Sequence, residues 1–281
     1  MRSVLRYPGA KPKLAGRIMR LLPIELCSGI MLPAPAGSMY IEPFFGSGAA
    51  GFHFLKRMNK DVSVWINDID YSIYALWTAV VNHPEELQAA IKRIRPSVDL
   101  FFQLKQSDGV DTGDIVRDAV GKIALHRMSM SGFGAMSGGP IGGKDQSSVY
   151  KVDARWNADT VCKAVIESSR LLNSFDDLKI TSLHVQEMLA GSSPEWFYYL
   201  DPPYYVKGNE LYRNGMTHQE HVALARSLKD TPAKWVLSYD DCDEVRNLYK
   251  EFSVDELDVK YSNAVQSGGE RKKNKELAIY N

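Results

Sequence analysis

The pattern that most constrains this chain is the alternation of strand-like and helix-like segments in its N-terminal third. Short apolar runs at Met39–Ile41 and Val62–Ile66 have strand character. Helical periodicity occupies about Ala49 to Met58, Ile73 to Asn82 and Pro84 to Ile94. Such alternation is typical of an α/β domain in which helices cover a parallel sheet. We therefore predict an α/β fold.

The middle of the chain differs from this pattern. From about Asp99 to Leu172 the sequence predicts helices, notably Ile115–Met128 and Ala158–Leu172, together with a long loop. Glycines crowd Ser131 to Gly143, which predicts a mobile or tightly turning segment and not a packed element.

Strand-like sequence returns after these helices. The later segments are Lys179–Leu183, Trp196–Leu200, Lys234–Ser238, Ser253–Tyr261 and Glu276–Tyr280. The sequence thus divides into an α/β domain, residues 1–95 and 175–281, and an inserted, mostly helical lobe, residues 96–174.

Charge and cysteine content narrow the class of protein. The 281 residues carry 34 Lys+Arg and 34 Asp+Glu, so the chain is not a general polycation, although a local basic face is compatible with neutrality. Cys27, Cys162 and Cys242 lie far apart without a Cys-x-x-Cys motif. We expect reduced thiols in a cytoplasmic protein and no metal site. No stretch approaches the roughly 20 apolar residues of a membrane span.

A glycine-rich turn follows the first predicted strand. The spacing Gly46-x-Gly48-x-x-Gly51 permits close approach of a ligand to the backbone, and Asp68 ends the next strand, where an acid binds ribose hydroxyls. This pairing indicates an adenosine-containing ligand. The alternative is an ordinary tight turn and a surface acid.

A second motif, Asp201-Pro202-Pro203-Tyr204, follows the buried run Trp196–Leu200. Its carboxylate and nearby carbonyls accept hydrogen bonds, its prolines hold the backbone rigid, and its tyrosine stacks on a flat group. A planar exocyclic amine suits all three features. The alternative is a polar turn ended by prolines.

With the flanking residues, the chain resembles the D12-class (Dam-like) N6-adenine DNA methyltransferases. The motifs that carry the resemblance occur in the family's order: Arg6 to Lys11, Glu42 to Gly48, Asn67 to Asp70, Asp201 to Tyr204, and Ser267 to Tyr280. The resemblance implies a Rossmann-like S-adenosylmethionine-dependent methyltransferase sheet, with residues 96–174 as a target-recognition lobe. It implies S-adenosylmethionine as cofactor and double-stranded DNA as substrate.

The resemblance also assigns roles to individual residues. It implies catalytic roles for Asp201, Pro202 and Tyr204, with Asp201 orienting an adenine amino group and Tyr204 stacking on a flipped base. The residues expected to border the cofactor are Tyr7, Lys11, Glu42, Phe44, Gly46, Gly48, Asp68 and Asp201.

Two surfaces are expected to meet DNA. Arg271, Lys272 and Lys273 suit phosphates, and the second surface comprises Arg6, Arg127, Met130, Ser131 and Phe133. Met130, Ser131 and Ala135 stand where Dam-like enzymes carry polar, base-reading side chains. We therefore expect a recognition site different from GATC, or more relaxed, and a restriction nuclease, if there is one, on a separate chain.

Three other interpretations stay open at this point. The planar amine could belong to RNA adenine or to another substrate, because Asp-Pro-Pro-Tyr does not discriminate among them. The glycine turn alone also fits an NAD-dependent oxidoreductase. A catalytically silent DNA-binding module is the third, and the intact Asp201 argues against it.

Overall fold

A computed structural model describes residues 3–6, 16–27, 34–206, 208, 213–259 and 274–281. These residues form one seven-stranded sheet in the order β3-β2-β1-β4-β5-β7-β6. The strands are β1 Met39–Glu42, β2 Ser63–Asn67, β3 Leu178–Thr181, β4 Trp196–Leu200, β5 Lys234–Asp240, β6 Ser253–Val259 and β7 Asn274–Tyr280. Strands β1 to β5 pair in parallel, and β7 lies antiparallel between β5 and β6. The predicted α/β fold is confirmed.

Helices cover both faces of the sheet. They are α1 Gly51–Leu55, α2 Tyr71–Asn82, α3 Pro84–Arg93, α4 Val98–Ser107, α5 Ile115–Met128, α6 Ala158–Leu172, α7 Val185–Leu189, α8 His218–Asp230 and α9 Asp243–Leu248. No helix among the described residues combines the length and apolar character needed to cross a membrane.

Strand β4 shows how the sequence fills both faces. Its residues are almost all buried, and consecutive side chains point to opposite sides of the sheet. Phe197 and Tyr199 join one core, while Tyr198 and Leu200 join the other. Burial on both faces explains why this strand reads as an uninterrupted apolar run.

Helices α5 and α6 pack on the sheet as well as belonging to the predicted insert. Val120 and Ile123 of α5 and Val161 of α6 lie in the same core cluster as Tyr40 of β1. A smaller cluster around Phe101 joins α4 to the end of α5. The division at residues 95/96 and 174/175 stays a prediction, and the hydrophobic core runs across it.

Two predicted elements differ at their ends for identifiable reasons. Helix α1 ends at Leu55 and not near Met58. The backbone N–H groups of Arg57 and Met58 bond three residues back, and Met58 forms an isolated β-bridge with Cys27. Strand β3 ends at Thr181 because the Asn67 side chain replaces the ladder beyond it, accepting from Leu183 N at 2.7 Å and donating to Leu183 O at 3.1 Å.

The glycine-rich segment after α5 is turning, as predicted, but it is also packed. It forms two 3-10 turns, Met130–Gly132 and Gly134–Met136, in which Gly132 and Gly134 are buried. The expectation that it is not a packed element was wrong, because Gly132 fits closely against Arg6 and Gly134 against His126.

Candidate active site

A cleft of about 490 Å³ opens at the carboxyl ends of β1, β2 and β4. The order of the sheet reverses between β1 and β4, and parallel α/β sheets bind ligands at such a switch point. The lining residues are Glu42, Pro43, Phe44, Phe45, Gly46, Ser47, Ala49, Ala50, Asp68, Ile69, Asp70, Leu183, His184, Val185, Asp201, Pro203, Arg213, Asn214, Gly215, Met216 and Glu220.

The glycine turn after β1 has a geometry that other residues would strain. Gly46 and Gly48 have φ angles of 49° and 69°, in the left-handed region. A Cβ on Gly48 would lie 2.5 Å from the Phe52 ring. The Trp77 indole donates to the Gly46 carbonyl at 2.8 Å. The turn is therefore fixed in shape, with Gly46 at the cleft.

Glu42 supports this turn from the end of β1. Its carboxyl accepts from the Tyr40 hydroxyl at 2.7 Å and from the backbone N–H of Gly51, and the side chain is buried. Burial raises the pKa of Glu42 well above its ordinary value, and the nearby Asp201 and Asp68 carboxylates add to the rise. The neutral carboxyl is thus favoured at a position that contacts the loop.

Asp68 connects the turn to the end of β2. Its carboxylate accepts from Gly46 N at 2.8 Å and from Asp70 N at 2.9 Å. Burial raises its pKa to about 7, and repulsion from Asp70 contributes to this rise. The same carboxylate lines the cleft.

The Asp-Pro-Pro-Tyr motif begins directly after β4. Asp201 and Pro203 line the cleft, and Pro202 is buried beneath them. Tyr204 is half-buried, and its ring centroid lies 6.3 Å from that of Tyr239. The structure therefore brings Asp201 to the cavity that Gly46, Glu42, Phe44 and Asp68 border.

Several residues at this cleft escape prediction from sequence. Leu183, His184 and Val185 follow β3, while Ile69 follows β2. Their position after predicted strands is the one signal for them, because the carboxyl ends of parallel strands lie at the same edge of the sheet. Arg213 to Met216 and Glu220 of α8 reach the cleft from beyond Asp201-Pro202-Pro203-Tyr204 (the tetrad), and no sequence motif marks them.

The predicted DNA-contact residues of the insert fall into two groups. Met130 is 53% exposed, Ser131 is exposed with a φ of 59°, and Phe133 is half-buried. Arg127 instead donates to the carbonyls of Ser3 and Val4, the shortest contact being 2.9 Å.

Arg6 is also used internally, since it donates to Ser129 O at 3.2 Å. Its carbonyl lies 3.3 Å from His126 Nδ1. Arg6 and Arg127 thus join the N-terminal segment to the end of α5 and the glycine-rich turn that follows it, residues 129–143, which we call the recognition turn after its predicted role. A DNA contact by either arginine stays a prediction. Tyr7, Lys11, Arg271, Lys272 and Lys273 lie outside the described residues.

The fold and the cleft together define a class. A sheet with an antiparallel β7 between β5 and β6, a glycine turn after β1 and Asp-Pro-Pro-Tyr after β4 is that of a Rossmann-like methyltransferase. The family model for D12 class N6 adenine-specific DNA methyltransferase matches residues 7–263. The chain belongs to this family and is an enzyme that methylates adenine in DNA.

This match confirms the resemblance derived from the motifs. It leaves the oxidoreductase and the silent DNA-binding module without support, because both conflict with membership in a methyltransferase family.

Proposed function

We propose that this enzyme transfers a methyl group from S-adenosylmethionine to N6 of an adenine flipped out of double-stranded DNA, at sites different from GATC or more relaxed. The observation that carries the proposal is the shared cleft: the glycine turn, Asp68 and Asp201 all border one cavity. A cofactor held by the first two groups would present its reactive centre to a base held by the third.

The residues of the cleft fit S-adenosylmethionine. Gly46 lets a ligand approach the backbone, and Asp68, when ionised, accepts hydrogen bonds from ribose hydroxyls. Ile69, Leu183 and Val185 offer apolar surface to an adenine ring. The family motif assigns Lys11 to the cofactor carboxylate and Tyr7 to its border. When bound, the cofactor supplies a methyl group on a positively charged sulfur.

Carboxyl groups shape the electrostatics of this cavity. Asp201, Asp68 and Glu42 all border it. Burial and then the charge of Asp201 raise the pKa of Glu42 and favour its neutral form, so the negative charge of the cleft comes from Asp201 and from Asp68 when it is ionised. A negative potential in a partly desolvated cleft favours a cationic sulfonium over a neutral group. This electrostatic preference distinguishes the methyl donor from its neutral product.

Asp201 orients the target amine in this proposal. Its carboxylate accepts one amino hydrogen and the Pro202 carbonyl accepts the other, which draws N6 towards a tetrahedral geometry and frees its lone pair. N6 becomes strongly acidic only after methylation, so no strong base is required beforehand. Alignment for in-line displacement provides most of the rate enhancement.

Tyr204 stacks on the extruded adenine. A base inside a duplex cannot reach a strand-edge pocket, and flipping costs about a few kcal/mol. The ring is half-buried against Tyr239, so its orientation is fixed before a base arrives. Rigid placement lowers the entropy cost of stacking.

The recognition turn supports a site other than GATC. Met130 and Met136 are 53% and 41% exposed, whereas the hydroxyls of Ser129 and Ser137 are bonded within the turn. Ala135 has no group that reads a guanine edge. Met130 suits insertion between bases, and Phe133 is a second candidate. Arg271, Lys272 and Lys273 suit phosphates by the family motif.

Replacing Asp201 tests the chemistry. Asp201→Ala should abolish methyl transfer to duplex DNA and leave cofactor binding largely intact, because Asp201 acts mainly on the amine and Asp68 stays in the cleft. Methyl incorporation and cofactor titration measure the two effects, with duplex DNA, single strands and RNA compared in parallel. Retained activity would contradict the assigned role, and preferred methylation of RNA would favour the alternative substrate.

Mapping modified bases tests recognition separately. DNA from cells that express the enzyme should carry N6-methyladenine at sites beyond or other than GATC. Methylation confined to GATC would refute the proposed relaxation.

A further inference from the structure

Asp240 holds the backbone immediately after the catalytic tetrad. It ends β5, and its two carboxylate oxygens accept from consecutive N–H groups, Tyr205 N and Val206 N, each at 3.0 Å. Its own position is set by pairing with Glu276 of β7. A carboxylate that accepts two successive backbone donors fixes both peptide planes at once.

Tyr204 lies directly before these two residues and is fixed from its other side as well. Its carbonyl accepts from Gly208 N at 2.7 Å. Gly208 packs so closely that a Cβ there would lie 2.9 Å from the Pro203 backbone. The ring rests beside Tyr239, the residue before Asp240, at an interplanar angle of 40°. The end of β5 therefore contacts both the ring and the backbone that carries it.

We infer that Asp240 is a positioning residue for the flipped-base pocket, acting through the orientation of Tyr204. The inference rests on the proposed function, in which Tyr204 stacks on adenine. Without the carboxylate, two N–H groups beside the tetrad lose their acceptor, and the Tyr204 backbone gains freedom. Extrusion of the base costs free energy. A less ordered Tyr204 ring would therefore reduce the population of flipped adenine and leave cofactor binding unchanged.

Asp240→Asn is the direct test, and Asp241→Asn is a matched control. The amide keeps the shape of the side chain but has one oxygen, so its NH2 group faces an N–H donor. Asp241 adjoins Asp240 in sequence, yet its carboxylate binds Arg246 at 2.6 and 2.9 Å, away from the tetrad. Both variants remove one charge from the same strand end.

The measurements separate positioning from general damage. With a duplex carrying a mapped methylation site, Asp240→Asn should lower kcat by about tenfold or more and leave the cofactor Kd within about twofold. The fluorescence increase of 2-aminopurine at the target position, which reports extrusion, should fall in parallel with kcat. Asp241→Asn should match the wild type in all three measurements.

Two results would overturn the inference. One is an Asp240→Asn enzyme that flips and methylates as the Asp241→Asn enzyme does, and the other is a loss of cofactor affinity as large as the loss of kcat. In both cases the wild-type enzyme still methylates adenine, so neither result contradicts the proposed function. A wild type that does not methylate adenine overturns the proposed function, and this inference with it.

Discussion

The Asp68 carboxylate holds the glycine turn in place, yet its burial disfavours the ionised form. It accepts N–H groups from Gly46 and Asp70, which fixes the glycine turn. Burial raises its pKa to about 7, with repulsion from Asp70 as the next cause. The proposed contact of Asp68 with ribose hydroxyls requires the ionised carboxylate, so the free enzyme bears a stability cost at the candidate active site.

The sign of that cost follows from proton linkage. Between the ordinary pKa of 3.8 and about 7, the folded protein keeps a proton that the unfolded chain has lost. The contribution of protonated Asp68 to the free energy of unfolding is therefore fully present below about pH 4 and is lost as pH rises through about 7.

Asp68→Asn should remove this pH dependence. As pH rises from 4 to 8, the free energy of unfolding of the variant should gain roughly 1–3 kcal/mol on that of the wild type, on top of a pH-independent loss where the amide NH2 faces a backbone N–H donor. Its cofactor affinity should fall about tenfold or more. Denaturant unfolding at several pH values and cofactor titration at pH 8 measure the two effects. An unchanged stability difference across this range would contradict the raised pKa.

At this scale, sequence predicts some site residues and misses others for a physical reason. Gly46, Asp68 and Asp201 are foreseeable because each directly follows a predicted strand, where a parallel sheet forms its cleft. The internal contacts of Arg127 are not foreseeable: a basic residue in the last turn of α5 is predicted to contact DNA, which stays a prediction, and its donors also bind the backbone carbonyls of Ser3 and Val4. Backbone acceptors from a distant segment leave no trace in the sequence.

In the recognition turn, individual glycines pack against the buried His126 side chain. Gly134 has a φ of 58°, and a Cβ there would lie 2.6 Å from Nε2 of the buried His126. His126 Nδ1 in turn lies 2.9 Å from Gly132 O. Burial lowers the pKa of His126 to about 3, with the charge of Lys122 as the next cause, so the ring is neutral at physiological pH. The turn is thus built on a neutral, packed imidazole.

Gly134→Ala should destabilise the protein by about 1–3 kcal/mol, since it adds both φ strain and a clash. Gly138 of the same segment is the control, because nothing lies within 4 Å of a Cβ there and its φ is not positive. Gly138→Ala should change stability by less than about 0.5 kcal/mol. Denaturant unfolding compares them, and equal effects would contradict the packed turn.

Sequence periodicity succeeds for whole helices and fails for this turn. Ile115–Met128 and Ala158–Leu172 are predicted to the residue because their apolar spacing is clear, and Asp114 and Asn157 bond to the first-turn N–H groups. A cluster of glycines indicates turning but not packing. Gly132 and Gly134 are packed because Arg6 and His126 lie against them, and only the tertiary structure brings these residues together.

At the scale of the whole molecule, a buried lysine joins the predicted insert to the candidate active-site cleft. Lys122 of α5 donates to Asp70 at 2.8 Å and to Asp108 at 3.1 Å, and its side chain is 3% exposed. Asp70 N donates to Asp68, which accepts from Gly46. A chain of polar contacts thus runs from the insert to the glycine turn, between residues that sequence patterns treat as separate domains.

Lys122→Met should therefore affect both stability and cofactor binding. Burial alone would raise the pKa of Asp70, but Lys122 outweighs it and holds that pKa below its ordinary value. Without the lysine, the largely buried Asp70 carboxylate lacks its cation and, among the described residues, Asp108 keeps only Arg213, 4.0 Å away, which should cost about 3–5 kcal/mol near neutral pH. The Asp70 carboxylate can escape the penalty only by protonation, so the loss of stability should shrink towards pH 4 and grow as pH rises towards 7.

The lysine also lowers the pKa of Asp68, so its loss should raise that pKa above about 7 and weaken cofactor binding at pH 7 more than at pH 8.5. Lys163→Met on α6, an exposed lysine, is the control for removal of a positive charge. Unfolding curves and cofactor titrations at these pH values measure both effects. If Lys122→Met loses stability but binds the cofactor as the Lys163→Met enzyme does at both pH values, the insert supports the fold without acting on the cleft.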